Sequence, residues 1–174
     1  MGRTGRNYRT MSEPITLIAF RVGELLVDEI RDQIAVQGHN MTGSLSKSVE
    51  HKTKITSDGV VIQFLLNEYG VPVNTGVAAP RIPYGGNTGA KVSKYIQGLI
   101  RFAKIRFRVT EKQAKGIAFA IANKQKKEGM PTRGSFRYSK NGKRTNYIED
   151  AVLLKTKQIE ALIGDLENEL INAI

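Results

Sequence analysis

The run VVIQFLL, Val60 to Leu66, is a strong strand signal in a chain whose other apolar residues recur mostly at helical spacing. That restricts any sheet to a small one and leaves helices to cover it. Ser57-Asp58-Gly59 ahead of the run has turn chemistry, and Asp-Gly between two apolar runs marks a hairpin. The partner strand is expected within Ser44 to Thr56, where Leu45, Val49 and Ile55 alternate imperfectly with polar residues.

Upstream, Ser12 can cap a helix with Glu13 and Pro14 in its first turn. Ile15, Ile18, Ala19, Val22, Leu25, Leu26, Ile30 and Ile34 form its apolar stripe, and Gly38 is suited to end it. Downstream, VPVNTGVAAPRIPYGGNTGA reads as a long irregular loop, rich in Gly and Pro. Val92 to Ala103 return to helical spacing, and the β-rich IRFRV at 105–109 breaks it. Thr110 with Gln113 predicts a capping box. Ala114, Ile117, Ala118, Ile121 and Ala122 then form a narrow face suited to close helix packing, ended by Gly129 and Pro131. Asn141-Gly142 predicts a small hairpin in a second loop, and a last helix carries Ile148, Ala151, Val152, Ile159, Leu162, Ile163, Leu166 and Leu170.

The order reads as α+β: a small antiparallel sheet packed by several helices, with long N-terminal and C-terminal amphipathic helices. The expected organisation is a flexible basic arm over residues 1–11 and one domain over 12–174, with long loops at 70–91 and 129–146. A chain of 174 residues can bury a core without staples.

The net charge of +11 is unevenly spread. Residues 91–144 hold 16 Lys and Arg against two acidic residues, while the segments toward both ends are acidic. Such asymmetry points to nucleic acid or to an acidic protein surface.

Several chemistries find no support in the sequence. There is no Cys, hence no disulfide and no thiolate metal site. His39 and His51 stand apart, and a metal centre would need a third ligand. Ser44, Ser46 and Ser48 lie near His39 without the base and orienting group a nucleophile needs. GGNTG, Gly85 to Gly89, lacks the spacing of a phosphate loop. The expectation is a non-enzymatic protein without cofactor or metal. No run is long and apolar enough to span a bilayer, and the start lacks the apolar core of a secretory signal. The sequon Asn40-Met41-Thr42 is therefore read as chance.

A first amphipathic helix, then MTGSLSKSV, a strand leading to EYGVPVNTGVAAP, and later IAFAIANKQKKEGMPTRGSF before a last helix together resemble one family. It is that of the tail-completion, or head–tail joining, proteins of tailed bacteriophages, the minor tail proteins that include lambda protein Z-like members. The matching residues are Thr42, Gly43, Leu45 and Ser48, then Tyr69, Gly70, Asn74, Thr75 and Gly76, and later Ala118, Ile121, Gly129 and Pro131. The resemblance implies a structural virion protein of the neck or upper tail, assembled in a host cytoplasm. It implies a homo-oligomeric ring joining head to tail, with portal, adaptor or tail-tube proteins as partners and no membrane. It carries over no catalytic residue.

The candidate interface residues are Arg133, Arg137, Lys140, Lys143 and Arg144 in the basic loop, and Asn74, Thr75 and Arg81 in the preceding one. The favoured target of the basic loop is an acidic partner subunit, because a channel through which DNA slides gains little from a sticky basic wall. Nonspecific contact with packaged DNA is the other expectation. The alternative function is a nonspecific nucleic-acid-binding protein using residues 91–144.

Overall fold

The computed structural model describes residues 7–56, 59–85 and 92–172. Helix α1 spans Asn7–Val36 and a helical turn α2 spans Ser44–Lys47. Strands β1, Glu50–Thr56, and β2, Gly59–Leu65, follow. Then come α3 (Gly70–Thr75), α4 (Lys94–Phe107), α5 (Glu111–Glu128) and α6 (Tyr147–Asn172), with 3-10 turns at Ala79–Arg81 and Arg133–Tyr138. The small antiparallel sheet packed by several helices is present.

Contacts divide the chain into two compact units where the sequence suggested one domain. The first contains residues 1–34, 45–67 and 147–174; the second contains 35–44 and 68–146. The division also sorts the charge. The second unit holds 17 Lys and Arg against three acidic residues, a balance of +14, and the first holds 10 against 13, a balance of −3.

In the first unit β1 and β2 pair antiparallel, with Thr56 opposite Gly59 and Glu50 opposite Leu65. The hairpin expected around Asp58 is thus present, although Ser57 and Asp58 themselves lie outside the described residues. Alternation along β2 sends Ile62 and Phe64 inward. There they pack on Ile18, Val22 and Leu26 of α1, against which Ile159, Leu162 and Leu166 of α6 also pack. Arg31 ties α2 and the residue just ahead of β1 to α1, donating from Nε to the Ser46 carbonyl at 3.3 Å and from a terminal nitrogen to the Val49 carbonyl at 3.0 Å. Lys155 of α6 pairs with Glu29 of α1 at 3.2 Å.

Several expectations change here. Helix α1 begins at Asn7, before Ser12, and so takes in the last part of the expected arm; residues 7–11 hold neither Gly nor Pro to stop it. The part before Asn7 lies outside the described residues. Ser44–Lys47 is a helical turn rather than strand, closed by the Ser48 hydroxyl donating to the Leu45 carbonyl at 2.8 Å. Short hydroxyl-to-backbone bonds of this kind compete with a ladder, and β1 starts only at Glu50.

The second unit is built on the α4–α5 helix pair. Ala103, Ala114, Ala118 and Ala122 are fully buried at the seam, joined by Ile82, Tyr84, Ile96 and Ile100. Methyl side chains let two helices approach closely, as the Ala-rich face suggested. The capping box at Thr110 and Gln113 is complete in both directions. Residues 105–107, read from the sequence as a β-rich break, continue α4 instead. The helix ends at Arg108, which takes the left-handed conformation with φ 53°. Helical i→i−4 bonding runs to the end, with the Arg108 N–H donating to the Lys104 carbonyl at 3.0 Å, and prevails over the weak strand preference of Ile and Phe there.

The loop at 70–91 is also more ordered than its composition suggests, over the part described. It contains α3, a 3-10 turn and an isolated antiparallel bridge between Val77 and Met130. Both bridge hydrogen bonds measure 2.7 Å. Gly76 and Gly129 flank it with φ of 77° and 83°. A Cβ on Gly76 would stand 2.7 Å from the Met130 carbonyl oxygen, and one on Gly129 would stand 2.6 Å from that of Val77. Each glycine makes room for the other strand's backbone. The hairpin expected at Asn141-Gly142 is absent among the described residues. The Asn141 side chain instead accepts from the Lys143 backbone N–H at 3.0 Å and from the Ser139 hydroxyl at 2.7 Å, a self-contained turn.

Candidate functional site

The basic loop at 129–146 is held down by Arg144. One of its terminal nitrogens donates to the Gln37 carbonyl at 2.9 Å and to the Gly38 carbonyl at 3.2 Å, just past the end of α1. These are carbonyls that a helix end leaves without intrahelical partners. The Lys140 N–H adds a bond to the Val36 carbonyl at 2.8 Å. The Arg144 Nε is buried and makes no hydrogen bond. Burial, then the neighbouring Arg106 charge, lowers the Arg144 pKa from the usual guanidinium value.

His39 lies in the same place, with its Nε2 3.1 Å from the Arg144 carbonyl. A carbonyl only accepts, so Nε2 carries the proton and the neutral ring is the species held. Burial, and then the positive charge of Arg144, push the His39 pKa down to about 4 from 6.5. The unfolded chain takes up this proton near pH 6.5, whereas the folded chain resists it down to about pH 4. The contribution of His39 is therefore fully present above pH 6.5 and is lost as pH falls toward 4. For a partly exposed ring the loss is on the order of 1–2 kcal/mol. Denaturant titrations across this range should show a steeper acid loss for the wild type than for His39→Gln, which keeps an N–H donor without titrating. Equal slopes would rule out His39 as the cause.

Tyr138 organises the guanidinium groups around it. Arg106, at the end of α4, stands 5.1 Å from the ring centroid, and Arg137 stands 4.8 Å from it. Arg137 also donates to the Tyr138 hydroxyl at 2.8 Å. The structure thus brings Arg137 and Arg144 together with Arg106 and Arg108, which lie in the stretch 105–109 whose local pattern is that of a strand-like break. Arg and Phe recurring at the end of a helical run was the available signal.

The other candidates lie apart from this cluster. Arg133 is exposed at the start of a 3-10 turn, with its backbone N–H donating to Glu128 at 2.9 Å. Lys140 and Lys143 are exposed. Asn74 is 4% exposed, and its carbonyl accepts from the Asn146 N–H at 2.7 Å, so this residue is internal scaffolding rather than surface. The Thr75 hydroxyl bonds back to the Val71 carbonyl at 3.1 Å, and Arg81 is exposed at the end of its turn.

Beside the cluster, Leu99, Phe102, Phe107, Ile117 and Ile121 line a groove of about 400 Å³, bordered by Lys124 and Arg137. Phe102 and Phe107 meet edge to face with ring centroids 6.1 Å apart, and Phe107 is exposed. In the first unit, His51 Nε2 lies 3.0 Å from a Glu24 carboxylate oxygen, and its ring fills space that a Cβ on Gly23 would occupy. The two histidines serve separate local structures. No group of three or more metal-ligating side chains is present among the described residues. Comparison of the chain with protein-family models, with curated proteins and with solved structures finds no match.

Proposed function

We propose that this chain is a structural subunit of a tailed-phage virion, a protein of the neck or upper tail that forms a ring and joins head to tail. The observation that carries the reading is apolar surface on the first unit. Val152, Leu153 and Leu154 are consecutive and exposed on α6, and Leu17 and Phe20 are exposed on α1. Successive helical residues point about 100° apart, so such a run cannot all face one core. Exposed consecutive apolar residues mark a surface that another protein covers.

The hairpin adds to this. Among the described residues its sheet has two strands, so each strand keeps one unpaired edge, and Ile55 and Val61 are exposed on it. Edges of this kind pair with a neighbour unless protected. A surface repeated head to tail closes into a ring when its rotation divides a full turn. The sequence motifs shared with the tail-completion proteins direct the reading to the phage neck, with portal, adaptor or tail-tube proteins as partners and with no catalytic activity.

Light scattering and negative-stain microscopy of the purified protein test the oligomer. Rings of uniform diameter are expected, and labelled protein is expected at the neck of particles of the phage that encodes it. A monomer at all concentrations, or label on the host membrane or on replicating DNA, would reject the reading. The segregation of +14 in the second unit favours contact with nucleic acid as a second role.

A further inference from the structure

We propose that the recess between the end of α4, the 38–41 turn and the basic loop is a binding site for the phosphodiester backbone of a nucleic acid, with Arg106, Arg108 and Arg144 as its ligands and Tyr138 as the residue that positions them. The recess encloses about 270 Å³ and is also lined by Gly38 and Asn40. No carboxylate lines it. Among the described residues none of Arg106, Arg108, Arg137 and Arg144 forms an ion pair with an acidic side chain.

Guanidinium groups gathered without counter-charge repel one another, and the fold sustains this arrangement by two means. Arg106 and Arg137 both lie close to the Tyr138 ring, whose negative face offsets part of the charge. A guanidinium placed in this way keeps in-plane N–H donors available for an oxyanion. Arg144 is fixed by the Gln37 and Gly38 carbonyls, and its buried Nε still lacks an acceptor. The lowered Arg144 pKa, caused by burial and by Arg106, agrees with a positive site awaiting an anion.

The class of ligand follows from where the charge lies. The unit carrying the recess has a balance of +14, and the other unit of the same chain has −3. A second copy therefore supplies far too little negative charge to match it. Nucleic acid carries a charge at about every 1.7 Å of duplex and fits a densely basic unit with one organised phosphate site. The charge balance of the two units therefore favours nucleic acid over the acidic partner subunit expected for the basic loop. The proposed site stands independently of the virion reading, since it concerns the second unit and is measured on the purified protein.

The test is fluorescence anisotropy of the full chain with short labelled duplex DNA, single-stranded DNA and RNA, between about 50 and 200 mM salt. Wild type should bind, more weakly as salt rises. The double variant Arg106→Gln, Arg108→Gly should bind duplex at least tenfold more weakly, with a log–log salt slope shallower by about 0.9 for each phosphate left without its arginine. Arg108 sits at φ 53°, where glycine is favoured, so melting temperature should hold. Removing two charges elsewhere, with Lys126→Gln and Lys127→Gln, should have a clearly smaller effect. Tyr138→Leu keeps every charge and should still weaken binding several-fold, which dispersed attraction does not predict. The proposal is overturned if the lysine pair costs as much as the arginine pair, or if Tyr138→Leu has no effect in a folded protein. It is equally overturned if polyglutamate binds as tightly as DNA at the same salt, which would return the recess to an acidic protein partner. A stronger response to RNA than to either DNA would identify the source of the phosphate and support the site.

Discussion

In the proposed ring assembly, the pair Leu153→Glu and Leu154→Glu is expected to leave the protein monomeric. These side chains are 73% and 59% exposed, on a helix whose opposite face holds the core residues Ile159, Leu162 and Leu166. Burying a leucine at an interface is worth roughly 1.5–3 kcal/mol. Losing two, and placing carboxylates where they would be desolvated, should weaken association by at least about a hundredfold. Glutamate is a good helix former and neither side chain supports the core, so circular dichroism and melting should stay close to wild type. Molar mass by light scattering reads the outcome. A double variant with the wild-type mass would remove α6 from the interface.

A second large effect is expected at the bridge in the basic unit. Gly129→Ala should destabilise the protein by on the order of 3 kcal/mol, combining the strain of a backbone conformation (φ 83°, ψ −169°) that is essentially glycine-only with a clash that only backbone movement relieves. The added Cβ would stand 2.6 Å from the Val77 carbonyl oxygen, part of a bridge whose two bonds are 2.7 Å long. Gly142→Ala is the comparison without a clash: its φ is also positive, 74°, and nothing lies within 4 Å of the added Cβ. It should show the strain alone, about 1–2 kcal/mol. Urea unfolding of both variants separates the two contributions. Equal losses would mean that the 70–85 segment shifts freely and that the bridge does not hold it.

The contrast between these two glycines shows how far local pattern reaches. Both stand after polar residues, and both predict a turn. That Gly129 faces the backbone of Val77, 52 positions before it, depends on how α3 and α5 are placed, which no local pattern encodes. Arg106 and Arg108 follow the same rule. Their neighbours Ile105, Phe107 and Val109 have strand preference, yet residues 105–107 stay helical and Arg108 takes the left-handed cap, while Val109 packs against the α4–α5 core. Ser44–Lys47 departs in the other direction, since short serine-to-backbone bonds win over an alternation too weak to sustain a ladder.

Local chemistry was sufficient wherever the deciding interactions are near in sequence. The periodic stripes on α1 and α6, the Asp-Gly hairpin, the capping box at Thr110 and the alanine face of α5 are all set by contacts within a few residues or by a simple repeat. The basic centre of the chain was equally legible, because charge is a property of composition. Tertiary structure alone decided that this charge forms a unit of its own, that Tyr138 gathers guanidiniums from a helix end and a loop, and that His39 is held neutral beside Arg144. Those outcomes rest on distances between residues far apart in the chain, and such distances are fixed by packing rather than by any pattern along it.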